Sequence, residues 1–122
     1  MSVRGLTIIV AEASTARFRS ALTLALAQAA LGGAARLFLD GRAVALTRLP
    51  IEALDDHAYA AAGLPRLGQL LDEALEAGIG IILCQSGLLL TGSEPADHDP
   101  RCDFGGLIGV LAAAGEDRLL MA

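Results

Sequence analysis

The chain has 122 residues, 54% hydrophobic and 19% charged, with nine basic against fourteen acidic residues and a net charge of −5. That balance excludes the basic footprint of a nucleic-acid binder, and no apolar stretch reaches the roughly twenty residues of a membrane span. The size is that of one domain, 1–122, able to bury about two thirds of its unfolded surface. So apolar a small body has too little polar surface to cover itself, which predicts a homo-oligomer. Met1 to Leu6 lack the long apolar core of a secretory signal. Two cysteines without a targeting segment predict a reducing, cytoplasmic setting, where a disulfide between Cys84 and Cys102 is disfavoured.

Leu6–Val10 reads as a short buried strand and residues 11–15 as the turn after it, with Ser14 or Thr15 as helix N-cap. The helix that follows carries Phe18, Ala21, Leu22, Ala25, Leu26 and Ala29 on one stripe, while Leu24 and Leu31 predict a second buried side. Gly32-Gly33 stops it. Ala35–Leu39 is the second strand, with a tight turn at Asp40-Gly41, and Arg42 to Thr47 read as a third short strand or an extended edge. The pattern weakens between Leu49 and Gly63, where Ile51, Leu54 and Ala58 allow a short helix.

Pro65 opens a clear helix with the stripe Leu67, Leu70, Leu71, Ala74 and Leu75, ended by Gly78. Gly80–Cys84 is a buried strand, and Leu88-Leu89-Leu90 a short helix closed by Gly92. Ser93 to Asp103 are polar and read as a surface loop, Phe104 to Ala114 as a close-packed helix, and Arg118–Met121 as a last strand. Alternation of this kind, with helix-length crossovers, predicts an α/β fold: a three-layer α/β/α sandwich around a mainly parallel sheet.

The chemistry narrows by elimination. No Walker lysine or glycine triplet follows the first strand, no GxSxG elbow exists, and there is no CxxC pair. His57 and His98 are isolated in polar segments and are expected to be solvated, and no metal site is expected. One thiol remains. Cys84 closes an apolar run at the carboxyl end of a strand, where open α/β sheets bind ligands, and Gln85-Ser86-Gly87 turns from it into a helix. Amides and the helix dipole favour a thiolate there, although a free cysteine often only packs.

Around this residue, Gln85 is a candidate for orienting a bound sulfur, Ser86 a hydroxyl donor or a helix cap, and Gly87 part of the amide cradle. Glu12, at the end of the first strand, is a candidate proton acceptor or a solvated side chain. Arg17 and Arg19, in the first helical turn, are expected to reach water. Cys102 is either a resolving thiol or a residue packed under Phe104.

The run Gly80-Ile-Ile-Leu-Cys84-Gln-Ser-Gly87, between one helix and a glycine-rich apolar helix with a terminal strand, resembles the DsrE/DsrF-like family. The segment Arg36-Leu-Phe-Leu-Asp40-Gly41 is similar to that family's second strand and turn. The likeness runs from Leu6 to Met121. It implies a three-layer α/β/α domain assembling as trimers or hexamers. It also implies persulfide sulfur carried on Cys84 between a protein donor and a protein acceptor, with no cofactor. A small polar Gln85-Ser86-Gly87 departs from the bulkier residues that family members place after the cysteine. Three functional readings follow: a sulfur carrier or sulfurtransferase using Cys84, a non-catalytic oligomeric binding module with Cys84 structural, and a thiol peroxidase or redox sensor using Cys84 and Cys102.

Overall fold

A computed structural model describes residues 3–122. Met1 and Ser2, part of the segment read above for a leader and of the domain expected over 1–122, lie outside it. The three apolar runs form the middle of the sheet as β1 (Leu6–Val10), β2 (Ala35–Leu39) and β3 (Gly80–Cys84). With β4 (Asp103–Gly105) and β5 (Arg118–Met121) they make five parallel strands in the order β4-β3-β2-β1-β5.

The helices are α1 (Thr15–Ala30), α2 (Asp56–Ala61), α3 (Leu67–Glu76), α4 (Gln85–Thr91) and α5 (Leu107–Ala114). Ser14 caps α1, its Oγ accepting the Arg17 amide at 3.2 Å. The chain steps from β1 to β4 in one direction and then returns across the sheet to β5. Right-handed crossovers therefore put α1, α3 and α4 on one face and α5 on the other.

The two faces are unequal. Leu6, Ile8, Val10, Leu37, Leu39, Ile81 and Leu83 pack with Phe18, Leu22, Leu67 and Leu71 in the main core. On the opposite face Ile9 and Phe38 meet Val110 of α5, with Ile82 and Cys84 at the margin. This is the α/β/α arrangement the alternation predicts, with one thick layer and one thin one. No described helix is long and apolar enough to cross a membrane.

Several elements differ from the sequence reading, each for a physical reason. Gly41–Thr47 is a 3-10 helix rather than a strand. Both edges of β2 are already taken by β1 and β3, so Ala43, Val44 and Leu46 bury by coiling over the sheet end instead. A strand at Asp103–Gly105 replaces the start of the predicted helix, because β3 offers its free edge there. The segment from Ser93 to Asp103 is not simply surface: Ser93, His98, Asp99 and Cys102 are buried.

Leu24 and Leu31 are exposed, so α1 has no second buried side, and only Val110 of α5 is buried. Arg19 does not reach water either. It is 5% exposed and donates to Asp56 Oδ1 at 2.6 Å and to the Pro65 carbonyl at 2.9 Å, tying α1 to the segment ahead of α3.

Candidate functional site

Cys84 is the last residue of β3 and the N-cap of α4, with extended backbone (φ −64°, ψ 124°). Alternation along the strand groups it with Ile82, and it packs half-buried against both the Ile9, Phe38 and Val110 cluster and the main core. Its register partner on β4 is Gly105, and the next residue, Gly106, is the N-cap of α5. Neither α4 nor α5 has a side-chain cap. The first turns of two helices thus begin beside the thiol, and a helix's opening amides have no partner within the helix. The arrangement suits an anionic sulfur.

Gln85 and Ser86 are exposed and Gly87 is buried. Ser86 is the second residue of α4 and not its cap, since Cys84 occupies that position. A Cβ at residue 87 would collide with the Gly41 carbonyl oxygen and with Val44. Gly87 is therefore what lets α4 lie against the 3-10 helix and keeps Cys84 at the top of the sheet.

Glu12 shares the carboxyl edge of the sheet but is not brought to the thiol. It lies two strands away, about 10 Å at ordinary strand spacing, and pairs in solvent with Arg17 at 3.7 Å.

Cys102 is buried in the main core, against which Cys84 also packs from the sheet end. It stands one residue before Asp103, which opposes Ile82. Burial, with Asp99 adding, pushes the Cys102 thiol up to about 12 against the pull of Arg101.

The polar feature the sequence hid is His98. It is 1% exposed, its Nδ1 3.0 Å from Thr47 Oγ1 and its Nε2 2.8 Å from Ser93 Oγ. Ser93 Oγ is 2.8 Å from Thr91 Oγ1, which donates to the Gly87 carbonyl at 2.7 Å. The chain of hydroxyls links the 3-10 helix, the buried loop and α4. Burial lowers the His98 pKa, ahead of the opposing Thr47 hydrogen bond and Asp97. Only tertiary contact makes this residue internal, and its neighbours Asp97 and Asp99 gave a purely polar local signal. Among the described residues, no group of three or more His, Cys, Asp or Glu could hold a metal ion.

No family model and no curated sequence matches the chain. Among solved structures, the protein of unknown function MTH1491 from Methanobacterium thermoautotrophicum is similar at a TM-score of 0.69. It is 11% identical, with 98% of this chain and 100% of that one covered. The ychN protein from E. coli also scores 0.69, at 20% identity over 96% of this chain and 97% of that one. Both are DsrE/DsrF-like folds. The chain has the DsrE/DsrF-like fold. At these identities the likeness is one of fold alone. Within the DsrE/DsrF-like frame, Cys84 is the thiol at the carboxyl edge of the sheet and Cys102 the one beneath it.

Proposed function

We propose that the protein carries sulfur as a persulfide on Cys84, receiving it from one protein and handing it to another. The observation that supports this reading best is the position of the thiol, half-buried at the end of β3 with the uncapped starts of α4 and α5 beside it. The fold likeness is consistent with it.

In the receiving step the Cys84 thiolate attacks the outer sulfur of a donor persulfide. A new S–S bond forms at Cys84, the donor's S–S bond breaks, and the donor leaves as a thiolate. In the delivering step an acceptor thiolate attacks the same outer sulfur and Cys84 leaves as a thiolate. Two exchanges balance without an external oxidant, reductant or cofactor. Gly87 seats the first turn of α4 that would hold the charge, while exposed Gln85 and Ser86 stand where a donor or acceptor protein would approach. Glu12, paired with Arg17, is left out of both steps. A two-cysteine peroxidase is disfavoured by the burial of Cys102, which pushes its thiol up to about 12.

The same reading places the protein in a reducing cytoplasm as a trimer or hexamer. The apolar α5 and β5 surface supports assembly, since Ile108 and Met121 are 88% and 66% exposed. Intact mass after exposure to a small persulfide donor tests the carrier: wild type should gain one reducible sulfur atom and Cys84→Ser none. Equal gain by the two proteins, or gain by neither, would remove it.

A further inference from the structure

The segment from Leu54 to Leu64, containing α2, is attached to the body in an unusual way. A surface helix is normally held by a buried apolar stripe, yet the one buried residue of α2 is a carboxylate, Asp56. Leu54 is fully exposed and Leu64 is 52% exposed. The main-chain hydrogen bonds of the segment stay local: Tyr59 to Asp55, Ala62 to Ala58, Gly63 to Ala60 and Leu64 to Tyr59, with Asp56 to Ala53 at its root. None of these reaches a strand or another helix.

What holds the segment converges on two side chains, Arg19 and Asp56. Arg19 of α1 donates to Asp56 Oδ1 at 2.6 Å, approaches Asp55 Oδ1 at 3.5 Å, donates to the Pro65 carbonyl, and lies 3.7 Å from the centroid of the Tyr59 ring. Asp56 in turn accepts the Ala53 and Leu67 amides. The closure is incomplete. Among the described residues, the buried side-chain polar atoms without a hydrogen bond are Arg19 Nε and Asp55 Oδ1, and both belong to this cluster. A buried polar atom left without a partner keeps its desolvation penalty, so the cluster holds the segment less firmly than its contacts alone would.

We propose that Leu54–Leu64 is a strap that opens as a unit, with Arg19 as its latch. Ile51 and Ala53, packed on the main core, fix one end, and Gly63, at φ +77°, allows the sharp turn at the other. Opening carries Tyr59 and Leu64 away from α1 and widens the groove of about 520 Å³ that they form with Ser20, Thr23 and Leu24. The sheet, the main core and Cys84 are untouched, so the strap is a local opening of low free energy rather than the first stage of unfolding.

Hydrogen exchange read by mass spectrometry on the full chain tests this, comparing wild type with Arg19→Met, which keeps the stem and removes the charge. Amides in Asp56–Leu64 should exchange about tenfold faster in the variant while those of β1, β2 and β3 keep their rates. Unchanged exchange in α2 of the folded variant, or equal acceleration across the strands, would overturn the strap. Should Arg19→Met not fold, Asp56→Asn is read by the same criterion. If neither variant folds, Arg19 and Asp56 support the whole fold and there is no strap.

Discussion

Two residues carry most of the local logic of the site, and the sequence shows the role of one more fully than that of the other. Cys84 was legible because an apolar run stops at it and polar residues follow, a pattern that marks a strand end whatever the tertiary context. Gly87 reads in the sequence as part of the amide cradle, but its lack of a side chain is also what α4 needs against Gly41 and Val44, a contact no local pattern reveals. Gly87→Ala should cost about 2 kcal/mol by overpacking, read as a lower urea midpoint at unchanged slope. His98 was misread as solvated because polar neighbours cannot reveal a tertiary pocket. Its burial depresses its pKa below the ordinary 6.5, so the unfolded chain binds the proton more readily. The stability it contributes is full above pH 6.5 and is lost as pH falls through that value toward the folded-state pKa. Urea midpoints at successive pH values should show this decline in wild type and a flatter curve in His98→Gln.

At the scale of elements, β1, β2, β3 and the exposed edge strand β5 were readable, and the short β4 was not. β1, β2 and β3 are largely apolar runs, interrupted by Thr7 in β1 and Arg36 in β2. β4 has three residues, two of them charged or glycine, and exists because β3 leaves an edge open. The 3-10 helix after β2 was taken for a strand since Val44 and Leu46 alternate over too few residues to separate the two periods. α2 is the element whose attachment is ionic, and its pH response follows from Asp56. Burial raises that carboxyl's pKa, but the Leu67 and Ala53 amides and Arg19 outweigh it, leaving the pKa below the usual 3.8. Its contribution is therefore complete above pH 3.8 and is lost as pH falls below that value. Tyr59 is the single tyrosine in a chain without tryptophan, so its fluorescence reports on α2. On acidification below pH 3.8 that signal should change before the far-ultraviolet circular dichroism of the helices and sheet.

For the whole molecule, the alternation of strands and helices was enough to predict a parallel sheet in three layers. Strand order was not, because the return from β4 to the far side of β1 depends on which edge α5 can span, and no residue in the connection encodes that choice. The consequence is an uneven body, thick on the α1 side and thin on the α5 side, with Leu107, Ile108, Leu111 and Leu119 open to solvent. That surface is the candidate interface for the self-association proposed from composition. Ile108→Asp should shift sedimentation from an oligomer to a smaller species without altering the circular dichroism; an unchanged oligomer would place the interface elsewhere. The claim on which the functional account turns is that sulfur rests on Cys84 and not on Cys102. Peptide mapping of wild-type protein, treated with a persulfide donor and then alkylated, locates the added sulfur directly. The account predicts it on the peptide containing Cys84, with Cys102 recovered as an unmodified thiol. Recovery of the sulfur on Cys102, or of a disulfide joining the two, would contradict it.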